Sequence, residues 1–195
     1  MSGFTRLALF LLTSGLLISA AFALYRLRFR KEYTLKGRLS VLSILLELGL
    51  LTGHAYQSYL FLPVVFPALP RLPTSPLRLG AGFCLILMGG LTMIFAVLWL
   101  GSQKTFGREC YELKRSGIYK WIRNPQITGY GVVLVGFAVL WPSLYALGWV
   151  FLYGAITHLS VRTEEEHLLR LFGEDYECYC SETPRYVPLP WRLRR

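Results

Sequence analysis

The sequence predicts an all-α integral membrane protein with about five transmembrane helices, including a C-terminal helical hairpin, and a short cytoplasmic C-terminal segment. Three observations carry this reading. Hydrophobic residues make up 54% of the 195-residue chain and charged residues only 16%, against roughly a quarter charged in soluble domains. The mean hydropathy is +0.44. The 21 Lys and Arg against 11 Asp and Glu give a net charge of +10, clustered between long uncharged runs as juxtamembrane charge is. A nucleic-acid binder would interleave basic residues with aromatics on a wet surface. Here the aromatics lie mostly inside the apolar runs, so no nucleic-acid partner is expected.

Residues 7–25 hold no charge and as a helix reach about 29 Å, close to a bilayer core. Arg6 and Ala21-Phe22-Ala23 also fit a signal peptide, but the apolar run is too long for one. Arg26, Arg28, Arg30 and Lys31 beyond it form a stop-transfer flank. A second span is expected over Leu39–Leu62, interrupted by Glu47 and ended by Pro63, Pro67, Pro70, Pro73 and Pro76, which preclude a helix. A third runs over Leu79–Leu100, with glycines offering smooth surfaces for close helix contact. No Asp, Glu, Lys or Arg occurs between Asn124 and Val161. That run is too long for one helix and breaks near Trp141-Pro142-Ser143, which predicts a hairpin whose first arm, Gln126–Leu140, reaches only about 22 Å.

Six basic residues fall between Arg26 and Arg38, one (Arg71) between Leu62 and Leu77, and six more are Lys104, Arg108, Lys114, Arg115, Lys120 and Arg123. Because basic loops stay in the cytoplasm, the N-terminus is expected outside and the polar C-terminal part inside. Residues 1–195 read as one integral membrane domain, with three N-terminal spans over 1–100. Cys84, Cys110, Cys178 and Cys180 lack metal-ligand spacing, so free thiols and no metal are expected. Glu47 and His54 share a face of the second span. Intramembrane ionisable groups turn inward, either toward an interhelical hydrogen bond or toward a substrate. The five tryptophans, Trp99, Trp121, Trp141, Trp149 and Trp191, read mostly as an interfacial belt.

Polar residues concentrate in Leu113–Gly131 and Arg162–Pro188. In the first block Pro125 is placed to start a helix, and Gly129 and Gly131 let a ligand or a neighbouring helix approach the backbone. In the second, His158, Arg162 and Glu165 share a helix face. Arg162 cannot neutralise all of Glu164, Glu165 and Glu166, so at least one acid should face water or a polar ligand. Residue chemistry alone leaves open a solvated helix end and a polar site.

The two blocks resemble the signature of the isoprenylcysteine carboxyl methyltransferase family, with phospholipid N-methyltransferases as relatives. The first block carries Gly117, Tyr119, Arg123, Asn124, Pro125, Ile127 and Gly129. The second carries Arg162, Glu164, Glu165, Leu168, Phe172, Gly173, Tyr176 and Tyr179, closed by Pro184, Arg185 and Pro188. The resemblance covers about the last 90 residues, and Asn124 and Ile127 stand where the family has histidine and tyrosine. It implies that residues 101–195 form a methyltransferase-like part with an S-adenosylmethionine pocket facing the cytoplasm, and a lipophilic substrate entering from the bilayer among membrane lipids. It implies Arg162 and Glu165 as catalytic residues. It also implies cofactor contacts from Gly117, Tyr119, Arg123, Asn124, Pro125, Gly129, Glu164, Glu165, Tyr176 and Tyr179. Carboxylates suit the cofactor's hydroxyls and amine, donors suit its carboxylate, and tyrosine rings suit its sulfonium. The acceptor is expected to be a prenylcysteine-like carboxylate, with a phospholipid amine or a hydrophobic thiol as alternatives. A sterol-reductase-like enzyme and a non-catalytic membrane scaffold are the other classes.

Overall fold

The computed structural model describes residues 2–62, 70–101 and 113–187. The expectations for Pro63, Pro67, Lys104, Arg108, Cys110, Pro188 and Trp191 fall outside them. Among the described residues all regular structure is helical. Helix α1 spans Gly3–Lys36, capped by the Ser2 hydroxyl, which accepts from the Thr5 amide at 3.1 Å, and ended by Gly37 at φ 65°. Its middle widens into a π segment over Ala23–Phe29. At 1.5 Å per residue it outruns a bilayer core, so its arginine-rich end emerges. Helix α2 spans Val41–Gln57, α3 Pro76–Leu100, α4 Pro125–Leu140, α5 Leu144–Phe172 and α6 Glu174–Glu182.

Three of these helices, α1, α3 and α5, are long and apolar enough to cross a membrane. The other two predicted spans are shorter. The Leu39–Leu62 segment is α-helical only to Gln57, where the chain tightens into a 3₁₀ turn over Ser58–Leu60. The arm predicted at Gln126–Leu140 begins one residue earlier, at Pro125, where a missing amide costs nothing. The break at 141–143 stands where expected, and Ser143 caps α5 by accepting from the Ala146 amide at 3.0 Å.

Helix α4 packs most closely not on α5 but on α3. The two run antiparallel along a seam of four glycines, spaced seven apart in each helix. A methyl group on Gly129 would lie 2.7 Å from the Gly89 carbonyl oxygen, and one on Gly136 2.9 Å from that of Gly82. A Cβ at Gly89 would strike the Gly129 carbonyl oxygen, and one at Gly82 would sit 2.5 Å from the Leu140 side chain. Only hydrogen fits at such positions, and the backbone contact they allow is what holds helices together where lipid supplies no hydrophobic drive.

The remaining helices α1, α2 and α5 share a core of Ala21, Leu24, Tyr25, Phe29, Leu50, Leu152 and Ile156. Several of their buried polar groups bond across helices, although His54 Nδ1 and Gln57 Oε1 are buried without a partner. The His54 Nε2 lies 3.0 Å from the Trp149 carbonyl oxygen, the Trp149 indole donates back to the His54 carbonyl at 2.7 Å, and the rings stack. Gln57 donates to the Phe10 carbonyl at 3.2 Å and to the Thr13 and Ser14 hydroxyls at 3.0 and 2.7 Å, while Glu47 accepts from the Tyr25 hydroxyl at 3.1 Å. Interhelical bonding therefore accounts for Glu47 and His54, with separate partners although they share a face. Trp149 is a correction to the interfacial belt: it is a buried core residue.

Candidate active site

Below the membrane helices the two polar blocks are stapled together by hydrogen bonds between segments some sixty residues apart. The Arg123 amide donates to the Pro184 carbonyl at 3.0 Å. The Asn124 side-chain amide donates to the Arg185 carbonyl at 3.2 Å, and the Thr128 hydroxyl to that of Tyr186 at 3.0 Å. The Tyr179 hydroxyl donates to the Tyr119 carbonyl at 2.6 Å. Every bond satisfies a main-chain group that no regular helix pairs, which is why irregular chain is stable there.

One carboxylate anchors the staple. Glu165 accepts from Arg123 Nη1 at 2.8 Å, from Arg185 Nε at 2.8 Å and from Arg185 Nη2 at 2.7 Å. The side chains of Arg123 and Glu165 are only 11% and 14% exposed, so this pair is nearly dry. Glu166 points the other way, to Arg26 at 2.8 Å and Arg30 at 3.2 Å on α1. Glu164 has no hydrogen-bond or ion-pair partner among the described residues and lines a cavity between the blocks. Glu164 and Glu165 both line that cavity, but only Glu164 is unpaired there, and the other two acids of the three are neutralised by arginines other than Arg162. Arg162 is exposed, and His158 pairs with the Tyr186 hydroxyl at 3.1 Å, so the shared face of His158, Arg162 and Glu165 does not converge on one point.

The cavity is narrow, about 90 Å³, and its walls include Tyr119, Arg123, Asn124, Glu164, Glu165, Tyr176 and Tyr179. Seven of the residues implied by the resemblance thus meet there, together with Gln126, Ile127 and Leu168. Others stand elsewhere. Gly117 takes φ 60° against Trp99, whose ring would lie 2.5 Å from any Cβ. Pro125 starts α4, and Gly129 belongs to the seam with Gly89. The Asn124 donor is engaged by Arg185. Arg162 lines a second cavity of about 310 Å³ that abuts the first along Arg123, Glu165 and Tyr176. Two further residues build the site: Arg185, foreshadowed by its place in the closing motif, and Cys180, whose sulfur lies 2.7 Å from Arg123 Nη1 and which carried no sequence signal.

Burial pushes the phenols of Tyr119, Tyr176 and Tyr179 upward, so all three stay neutral around the cavity. It also raises the Cys180 thiol, against the opposing pull of Arg123. Hydrogen bonding to Glu165 holds the Arg185 guanidinium protonated. The cavity therefore offers one unpaired carboxylate, three neutral aromatic rings, an arginine and Lys114. These groups suit a cationic, hydroxyl-bearing molecule with an amino-acid tail, as S-adenosylmethionine is. Cys84, Cys178 and Cys180 are free thiols.

A third cavity, an apolar cleft of about 740 Å³, lies between α2 and the α3–α4 pair, walled by Phe61, Phe83, Ile86, Val133, Phe137 and Trp149 among others. No curated protein and no solved structure matches the chain. A family model does, over residues 77–175, and its description is phospholipid methyltransferase. The match takes in all but the first residue of α3 and the whole of α4 and α5, thus reaching further toward the N-terminus than the motif resemblance, and stops short of Tyr176 and Arg185. With just over half its length so matched, the chain belongs to the phospholipid methyltransferase family, a family of membrane methyltransferases.

Proposed function

We propose that this protein transfers a methyl group from S-adenosylmethionine to a lipophilic acceptor at the cytoplasmic face of the membrane, and that the acceptor is a phospholipid amine. The observation that carries the reading is Glu164, an unpartnered carboxylate in a tyrosine-lined cavity formed by both motif blocks. When bound, the cofactor supplies an electrophilic methyl group. Tyr119, Tyr176 and Tyr179 would flank its cationic centre, and Arg123 would face its carboxylate. Glu164 would attract an ammonium acceptor and accept the proton that an amine must shed before it is a nucleophile. Leu100, Ile127 and Leu168 line the same cavity and exclude water, so that orientation supplies most of the acceleration. Arg162 and Glu165 act here by shaping the site, Glu165 by holding Arg123 and Arg185 in place.

A prenylcysteine-like carboxylate is the second reading, favoured by the arginines near the cavity but disfavoured by Glu164, which would repel it. Five membrane-entering segments, with α4 and α5 as a hairpin and the N-terminus outside, put the basic loops and the site in the cytoplasm. The test is titration of the detergent-solubilised protein with S-adenosylhomocysteine and, separately, NADPH, then transfer from radiolabelled cofactor to phosphatidylethanolamine or to a prenylcysteine. Binding of S-adenosylhomocysteine and labelling of the phospholipid are expected. NADPH binding alone overturns the reading in favour of a reductase, and binding of neither in favour of a scaffold.

A further inference from the structure

We propose that the second cavity, on the far side of the Arg123–Glu165 pair from Glu164, seats the phosphodiester of the lipid acceptor, with Arg162 as its principal ligand. This rests on the reading of the first cavity as the methyl-transfer site. The cavity of about 310 Å³ is lined by Arg123, Arg162, Arg185 and three acids, Glu165, Glu166 and Glu177. Arg26 and Arg30 reach Glu166 from α1, outside the lining of the cavity, so the cluster as a whole holds five guanidinium groups to three carboxylates, of which Glu177 has no ion pair or side-chain hydrogen bond among the described residues. Two donors remain unspent. Arg162 has neither ion pair nor hydrogen bond among the described residues, and the Nε of Arg123 is buried without a partner. A surplus of arginine with free N–H groups is what a phosphate matches, through paired, charge-assisted hydrogen bonds.

The position of the surplus selects the ligand. Arg123, Glu165 and Tyr176 line both cavities, so an anion beside Arg162 and a cation beside Glu164 are neighbours across one layer of side chains. A phosphoethanolamine headgroup carries those charges in that order, two carbons apart. A prenylcysteine carboxylate supplies an anion and no cation. Arg162 would therefore fix the headgroup's register rather than take part in the transfer, and it is a positioning residue.

The test measures equilibrium binding to the full-length, detergent-solubilised protein, independent of turnover, using short-chain phosphatidylethanolamine and an alkylamine of matched length without phosphate. Arg162→Gln should weaken phosphatidylethanolamine binding about 10-fold to 100-fold while leaving the alkylamine and S-adenosylhomocysteine within about twofold. Arg162→Lys should recover part of the loss. Four results overturn the proposal. Equal weakening of the alkylamine would show that the phosphate is not read. Loss of S-adenosylhomocysteine affinity would give the cluster to the cofactor's carboxylate. Displacement of the phospholipid by millimolar inorganic phosphate would make this a free-anion site. Absence of phosphatidylethanolamine binding to the unaltered protein would remove the ligand. Failure of the methyl-transfer reading shows up separately, as absence of S-adenosylhomocysteine binding to the unaltered protein.

Discussion

The α3–α4 seam and the staple beyond the membrane helices join parts of the chain by opposite means. The seam depends on what four glycines lack. The staple spends almost every polar group it has, converging on Glu165. Within a bilayer, close fit is the strong option because lipid competes poorly for shape but well for apolar surface. At the membrane surface water competes for every hydrogen bond, so a bond contributes most where burial excludes water, as at Arg123 and Glu165. The two regions meet at Pro125, where the staple ends and the seam helix begins. The cavity lies at that junction, its position set by the seam and its charge by the staple.

That contrast can be broken most severely at the seam. Gly129→Leu should cost about 3 kcal/mol or more, because the neighbour it strikes is backbone that cannot rotate aside. Gly90→Ala, on the same stretch of α3 but facing open space, should change stability by less than about 0.5 kcal/mol. Thermal unfolding in detergent measures both, and equal effects would mean that the seam is not the principal contact of α4.

Next in size is Glu165→Ala. It strands two guanidinium groups, one nearly buried, and should destabilise the protein by about 3 kcal/mol, releasing the 179–186 segment to proteolysis and abolishing S-adenosylhomocysteine binding. Glu166→Gln, whose partners Arg26 and Arg30 are more exposed, should cost at most about 1 kcal/mol and leave binding intact.

Glu164→Gln separates function from stability. It removes a charge with no protein partner, so the unfolding temperature should hold while S-adenosylhomocysteine affinity or methyl transfer falls about 10-fold to 100-fold. A stability loss as large as that of Glu165→Ala would show that Glu164 belongs to the staple.

The smallest effect is expected at Asn124. Asn124→Leu forfeits the bond to the Arg185 carbonyl and should cost about 1 kcal/mol, whereas Asn124→His, still a donor, should cost less. Comparing the two by denaturant titration sharpens the assignment of Asn124 to the staple. A loss of cofactor affinity from Asn124→His with stability unchanged would return this residue to the cofactor.

The sequence by itself determined that this is an all-helical membrane protein, that helices begin at Pro125 and after Pro142, and that polar chemistry gathers in two C-terminal blocks. Those features are local. Hydropathy reports the solvent each segment requires, and proline acts on its own residue and its immediate neighbours. The glycine pairs seven apart in α3 and α4 were legible as smooth surfaces but not as a match for each other. Tertiary structure alone decided that α4 lies against α3, that Trp149 is core, and that α2 stops at Gln57. It alone decided which of three consecutive glutamates is left without an arginine partner. Glu164, Glu165 and Glu166 are chemically identical neighbours, and successive helical positions point about 100° apart. What distinguishes them is which arginine lies opposite, and those arginines come from α1, from the start of α4 and from the closing segment.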